Sequence, residues 1–254
     1  MAKTDTMNLP APRDDWALFF DIDGTLLDIA PTPDAVVVPT DLRTDLAMLF
    51  RRLGAIALIS GRPLVGIDAL FAPLVLPASG QHGAEARMGR EHEVAPPLPA
   101  LRAIVMPLQQ YAADHHGILI EDKGDSVAVH YRMAPTLAEE VDALVHRLID
   151  GTPELEALTS KMAIDIKPRA ISKANAIRWF MARPPFAERV PVFVGDDRTD
   201  EAGFAAVNEI GGHTIRVGDL AESNARYSLN SSAAVREWIA GLARFYKEGG
   251  GSLI

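Results

Sequence analysis

Three short apolar runs, each cut off by a polar cluster, constrain the fold of this chain more than any other feature. Residues 17–20 stop at Asp21, residues 55–59 at Ser60, and residues 190–194 at Gly195-Asp196-Asp197. Continuous apolar runs without alternation read as strands buried on both faces, the signature of a parallel sheet covered by helices. Between the first two runs, Leu42, Leu46, Leu49 and Leu53 recur on one helical face, and Gly54 is placed to cap that helix. Residues 74–76 and 214–217 are further candidate strands, and helices are expected at 63–71, 172–182, 199–208 and 233–245. Strands alternating with helices over this length predict an α/β protein whose core is a doubly wound, Rossmann-like parallel sheet.

The pattern changes between about residues 98 and 169. A helix marked by Leu101, Ile104, Leu108 and Tyr111 leads into strands at 117–121 and 126–132, then a helix marked by Leu137, Val141, Leu144 and Leu148, then a strand at 161–167. Period-2 reading puts Val127, Val129 and Tyr131 on one face and Ser126, His130 and Arg132 on the other. Met162, Ile164 and Ile166 likewise oppose Lys161, Asp165 and Lys167. Two helices cover only the apolar face, so this inserted α+β cap has a polar face that is either a substrate lid or merely solvated. The expected organisation is a discontinuous core of 14–98 and 170–247, a cap of 99–169, and flexible termini at 1–13 and 248–254. Pro96-Pro97-Leu98-Pro99 reads as the hinge into the cap.

Composition narrows the chemistry. The chain has no cysteine, which excludes disulfides, thiolate metal sites and a Cys nucleophile. Its 25 Lys and Arg against 34 Asp and Glu give a net charge of −9, with no basic run of the kind a nucleic-acid partner needs. No apolar stretch approaches the roughly 20 residues of a membrane helix, and residues 1–15 lack a signal-peptide core, so a cytoplasmic protein is expected. No feature calls for an obligate protein partner.

Carboxylates, hydroxyls and a lysine gather where the strands end. Asp21-Ile22-Asp23-Gly24-Thr25 follows the first strand, and ligands of open α/β sheets bind at the carboxyl ends of strands. Two acids two residues apart can serve as nucleophile and general acid/base, although such a pair alone is often only a turn or a cap. Ser60-Gly61-Arg62 follows the second strand with a hydroxyl and a backbone nest suited to phosphate oxygens. Lys173 follows Ser172, a candidate N-cap, so an ammonium and free helix N–H groups can share one anion. Asp196, Asp197, Asp200 and Glu201 crowd the end of the third strand. They are either a solvated turn with first-turn helix acids or a set that needs a cation, and oxygen-only ligation favours Mg²⁺.

Taken in order, these blocks resemble the haloacid dehalogenase superfamily of phosphatases. The wording is closer still to the trehalose-6-phosphate phosphatase family: Phe19-Phe20-Asp21-Ile-Asp23-Gly-Thr-Leu, Ala57-Leu-Ile-Ser60-Gly-Arg62, Gly80-Gln-His82-Gly-Ala-Glu85, His130-Tyr131-Arg132, Asp165-Ile-Lys167-Pro168 and Gly195-Asp-Asp-Arg-Thr-Asp-Glu201. The resemblance spans roughly residues 16 to 210. It implies hydrolysis of trehalose 6-phosphate to trehalose and phosphate, with Asp21 as nucleophile forming an aspartyl-phosphate and Asp23 as general acid/base. It implies Mg²⁺ held by Asp21, the Asp23 main-chain carbonyl and Asp196, with Asp197 and Asp200 in support. Thr25, Ser60, Gly61, Arg62 and Lys173 would meet the phosphoryl group.

Within the cap, the resemblance assigns sugar binding to Glu121, Lys123, His130 and Asp165, and on the core side to His82, which a structural role in a Gly-rich loop explains equally. The sequence departs from the family at Asp165, where a Glu is usual, and at Ala170 and Ala174, where glycines are usual. Two rival readings stand beside the first: a phosphatase for another sugar phosphate, such as a sucrose or mannosyl-glycerate phosphate, and a non-catalytic metal-binding module.

Overall fold

The computed structural model describes residues 9–29, 36–96, 98–160, 162–219 and 222–250. Residues 1–8 and 251–254 of the termini, Pro97 of the expected hinge, and Lys161 lie outside the described residues. The chain divides into two compact units, one drawn from Met1–Val94 and Ser172–Ile254, the other from Ala95–Ile171.

In chain order the first unit begins with β1 (Trp16–Phe20), α1 (Thr40–Leu53), β2 (Ile56–Ile59), α2 (Leu64–Phe71), β3 (Ala78–Gly80), β4 (Glu85–Met88) and β5 (Glu91–Val94). The second unit contributes α3 (Pro99–Asp114), β6 (Leu119–Asp122), β7 (Val127–His130), α4 (Ala138–Ile149), β8 (Leu155–Ser160) and β9 (Ala163–Pro168). The chain then returns to the first unit with α5 (Lys173–Met181), β10 (Val190–Gly195), α6 (Glu201–Glu209), β11 (His213–Val217), β12 (Tyr227–Leu229) and α7 (Ser232–Lys247).

The first unit is built on one sheet in the order β12-β11-β10-β1-β2-β3-β4-β5, parallel from β12 to β3 and antiparallel through the β4–β5 hairpin. Side chains along β1 alternate between its two faces. Trp16, Leu18 and Phe20 join a core with Leu42, Leu46 and Leu49 of α1 and Val235, Ile239 and Leu242 of α7. Ala17 and Phe19 join a separate core with Ile177 and Phe180 of α5 and Phe204 and Val207 of α6. Each buried Phe or Leu contributes about 1.5–3 kcal/mol, so both faces anchor the central strand. Gly54 closes α1 in the left-handed conformation, at φ 71°, as the sequence predicts.

This topology sets the place for chemistry. From β1 the chain builds outward to β2 and β3, whereas β10, β11 and β12 build the other way, so the carboxyl ends of β1 and β10 flank the switch point of the sheet.

The second unit is an antiparallel sheet, β6-β7-β9-β8, with two helices on one face. Val127, Val129, Ile164 and Ile166 are buried with Leu101, Ile104 and Leu108 of α3 and Val141 and Val145 of α4. On the opposite face Glu121, Ala128, Asp165 and Leu158 form one cross-strand row.

Several expectations are corrected. Residues 74–76 form no strand: Leu74 closes a turn onto Phe71, Val75 is exposed, and pairing with β2 begins only at Ala78, beyond Pro77. The strand β8 and the short β12 escaped the periodicity reading, as did the hairpin, whose outer strand Glu-His-Glu-Val is exposed throughout. Met162 does not continue the apolar face of β9; it is exposed, in a turn at φ 64°. Lys167, opposite Glu156 of β8 and 3.6 Å from its carboxylate, is not open to solvent. It is buried and donates to the Ile171 carbonyl at 2.8 Å, because β9 ends there and the chain folds back over it. Among the described residues no helix is long and apolar enough to cross a membrane.

Candidate active site

Asp21 continues β1 by donating its N–H to the Val194 carbonyl of β10 at 3.0 Å, which plants its side chain at the switch point. The chain turns at once: Leu26 and Leu27 both donate to the Ile22 carbonyl, and Gly24 takes φ +84°. That glycine does two jobs. Its backbone conformation is rarely open to other residues, and a Cβ there would fall on the Asp196 carboxylate. The loop after β1 can therefore receive Asp196 from β10, and the Thr25 hydroxyl donates to Asp196 Oδ1 at 2.8 Å. Thr25 is fully buried, and its Oγ1 stands 3.5 Å from Asp21, so it orients the acids in this structure.

Lys173 is the first residue of α5, whose N-cap Ser172 accepts the Asn175 N–H at 3.1 Å. Its ammonium lies 2.8 Å from Asp21 Oδ1 and 2.6 Å from Asp200 Oδ1, and all three side chains are buried. Burial works against the charge on Lys173, but Asp200 and Asp21 outweigh it and hold the pKa above the ordinary lysine value. For Asp21, burial raises the carboxyl well above the usual range, with Lys173 opposing and Asp200 and Asp196 adding to the rise. Asp196 is also raised, by burial first, against the Thr25 hydrogen bond.

Asp200 has its oxygens committed. Besides Lys173 it accepts the backbone N–H groups of Asp196 at 3.0 Å and Asp197 at 2.9 Å, a reciprocal cap with Asp197 that rigidifies the loop after β10. Asp197 is exposed and accepts the Arg198 N–H. Asp21, Asp196 and Asp200 each bring an oxygen within 4.8 Å of one another, a hard-donor cluster suited to a divalent cation. Since Asp200 is spent on Lys173 and the two amides, Asp21 and Asp196 are the carboxylates left for an ion.

One residue that the sequence reading does not single out, Arg216, braces this half of the site. Arg216 on β11 donates to the Asp197 carbonyl and to Glu201 Oε1, each at 3.1 Å. Glu201 also accepts Ser223 Oγ and the Asn224 N–H at 2.7 Å, so it ties loops together rather than adding to the acid cluster.

Ser60 is buried at the end of β2, its hydroxyl accepting the Arg62 N–H at 3.1 Å. The neighbouring loop is stitched to it. His82 donates its N–H to the Ser60 carbonyl at 2.9 Å, and Gln81 to the Arg62 carbonyl at 3.0 Å, while Gln81 and His82 both hold positive φ. A Cβ on Gly61 would lie 2.5 Å from His82 Nε2, so the ring packs directly on the glycine. Glu85 accepts the Leu64 N–H at the start of α2 at 2.7 Å and fastens the same loops. Arg62 grips Asp23 with two hydrogen bonds of 2.6 and 2.7 Å.

In the second unit, the expected sugar residues share the face away from the helices. His130 Nε2 lies 3.0 Å from Glu121 Oε2, and Lys123 reaches Glu121 at 3.7 Å and Asp165 at 3.6 Å, over the small Ala128 between them. The hydrogen bond from His130, and to a lesser degree Lys123, lowers the Glu121 pKa against its partial burial.

The trehalose-phosphatase family model matches residues 19–233. Over 92% of this chain and 90% of the relative, the chain is 45% identical to a probable trehalose-phosphate phosphatase of Sinorhizobium fredii. It is 41% identical to the trehalose-6-phosphate phosphatase of Escherichia coli over 93% of this chain and 88% of that one. Among solved structures, the C-terminal domain of the C. albicans trehalose-6-phosphate phosphatase shares the fold at a TM-score of 0.76 and 21% identity, covering 91% of this chain and 93% of that one. The strand-end acids, the buried lysine and the inserted α+β unit thus occur in a chain that belongs to the trehalose-phosphatase family, of the haloacid dehalogenase superfamily.

Proposed function

We propose that this enzyme hydrolyses trehalose 6-phosphate to trehalose and inorganic phosphate. The observation that carries the reading is the buried Asp21 at the sheet's switch point, held by Lys173 and faced by Asp196, in a chain of this family. In the first step a carboxylate oxygen of Asp21 attacks phosphorus, the bond to the sugar oxygen breaks, and Asp23 delivers its proton to that oxygen. In the second step Asp23, now a carboxylate, takes a proton from water whose oxygen attacks phosphorus. The aspartyl–phosphorus bond breaks, releasing phosphate and restoring Asp21.

The residues present fit a divalent cation of the Mg²⁺ type. The donors are all hard oxygens, Asp196 is oriented by Thr25, and Lys173 leaves Asp21 one carboxylate oxygen outside their 2.8 Å contact. Asp21, Asp196 and the Asp23 main-chain carbonyl would hold the ion, with Asp197 and Asp200 shaping the loop. When bound, it supplies charge neutralisation between the nucleophile and the phosphate dianion. Lys173 adds a fixed positive charge beside the same carboxylate, and Ser60 and Gly61 offer a hydroxyl and an amide for the phosphoryl oxygens.

In the second unit, Glu121, Lys123, His130 and Asp165 would bind the sugar hydroxyls and set substrate choice. His82, packed on Gly61, would act on the core side by holding the phosphate loop. Phosphate release from a panel of sugar phosphates, with and without Mg²⁺, tests the reading. Turnover of trehalose 6-phosphate well above that of sucrose and hexose phosphates supports it. Preference for another sugar phosphate reassigns the substrate, and no turnover of any sugar phosphate points to a non-catalytic module.

A further inference from the structure

Asp23 and Arg62 sit on different loops, one after β1 and one after β2, yet they form a close two-point ion pair. Nε of Arg62 donates to Asp23 Oδ2 at 2.6 Å and Nη2 donates to Oδ1 at 2.7 Å. The guanidinium is 17% exposed and the carboxylate 38%, so the pair is more open to solvent than the buried Lys173–Asp21 contact. A two-point fork of this kind fixes both the position and the rotation of a carboxylate, which a single ammonium does not.

The base of the fork is itself held. The Arg62 N–H is bound to Ser60 Oγ, the Arg62 carbonyl accepts Gln81, and Leu64, two residues on, is bound by Glu85. Both carboxylates that take part in the bond changes thus face a cation: Asp21 faces Lys173, which it shares with Asp200, and Asp23 faces Arg62.

We propose that Arg62 is the positioning residue of Asp23, aiming its carboxylate through both steps of the reaction, and is not a ligand of the phosphoryl group. This rests on the role given to Asp23 above. Each carboxylate oxygen keeps a second lone pair while accepting from the fork, so a held Asp23 can still carry and take a proton. The two steps need that proton delivered and collected at nearly the same place, which a fixed carboxylate meets and a rotating one does not.

The test separates the steps. With 4-nitrophenyl phosphate, whose leaving group departs without a proton, formation of the aspartyl-phosphate does not need Asp23, whereas its hydrolysis does. Arg62→Ala and Arg62→Lys are examined by rapid quench and by steady-state turnover, alone and combined with Asp23→Asn. Arg62→Ala is expected to lower turnover of trehalose 6-phosphate on the order of 10- to 100-fold, up to the lower end of the roughly 10²–10⁴-fold that a general acid/base contributes. The 4-nitrophenyl phosphate burst should slow far less, so that phosphoenzyme accumulates. Arg62→Lys should recover only part of the loss, because one ammonium cannot hold both oxygens. In the Asp23→Asn background, Arg62→Ala should cost little more, the mark of two residues acting as one unit.

The proposal is overturned if Arg62→Ala slows the burst as much as turnover, weakens inhibition by inorganic phosphate, and keeps its full cost in Asp23→Asn. Those results make Arg62 a phosphate ligand. Normal turnover by Asp23→Asn alone is a separate failure, of the role given to Asp23.

Discussion

The ammonium of Lys173 and the carboxylate of Asp21 face each other at 2.8 Å with side chains only 3% and 6% exposed. The lysine also holds Asp200, so removing it strands two buried carboxylates at once. Lys173→Ala is expected to destabilise the fold by about 3–5 kcal/mol, the usual cost of leaving a buried charge unpaired, and to eliminate turnover. Urea unfolding followed with phosphate release checks both.

Asp21→Asn should behave differently. Burial and the neighbouring acids already disfavour the charged form of Asp21, and Lys173 keeps Asp200 when the charge is removed. The variant is expected to melt at or above the wild-type temperature while turnover falls to background. A folded Asp21→Asn protein with near-normal phosphate release would refute the covalent route.

Metal binding can be read without turnover. If Asp21 and Asp196 hold a divalent ion, Mg²⁺ at 100 times its Kd should stabilise the protein by about 2.7 kcal/mol. Exhaustive chelation should abolish that gain along with activity, and Asp196→Ala should lose it. Equal melting of the wild type with and without Mg²⁺, together with full activity in chelator, would exclude the ion.

Lys123→Ala and Asp165→Ala remove the ion pair across Ala128 on the open face of the second unit. Each is expected to lower kcat/KM for trehalose 6-phosphate by about 1–3 kcal/mol, as for a hydrogen bond involving a charged group. Hydrolysis of a small aryl phosphate should change little. Equal losses on both substrates would make these residues structural, and no loss on either would leave the face merely solvated.

Tyr246 carries a pH signature far from the site. Its hydroxyl donates to the Arg13 carbonyl at 2.7 Å, and burial first, then Asp14, pushes its pKa up to about 12. The folded protein thus keeps a proton that the unfolded chain sheds near an ordinary tyrosine pKa of about 10. The stabilisation is complete below about pH 10 and is lost as pH rises towards about 12. Melting temperatures across that range should fall more steeply for the wild type than for Tyr246→Phe.

The parts legible in the sequence are those where burial writes itself into local pattern. β1, β2 and β10 are buried on both faces, so they read as unbroken apolar runs, and their ends name Asp21, Ser60 and Asp196. β3 is equally buried, but Ala-Ser-Gly has too little apolar bulk to stand out against the preceding Leu74-Val75-Leu76, which place the expected strand four residues early, at 74–76 instead of Ala78–Gly80. The grip of Arg62 on Asp23, the brace from Arg216 and the clamp from Glu85 depend on side chains brought together by the sheet order. Spacing along one strand or helix does not encode such meetings. For Lys167, alternation gives the face of the residue but not its burial, because the following turn folds back over it.

The central strand is completed late. β1 pairs with β2 on one side, but its other neighbour, β10, is aligned from Trp16 opposite Val190 to Phe20 opposite Val194, with the whole of the second unit encoded between them. As the chain leaves the ribosome, the second unit can draw all its strand pairings from within itself, while β1 waits with one edge and much of its apolar surface uncovered. Asp21 meets Asp196 only once β10 has been made and that edge is closed, so a nascent chain halted before β10 lacks the acid pair of the site and keeps an open strand edge of the kind that invites aggregation.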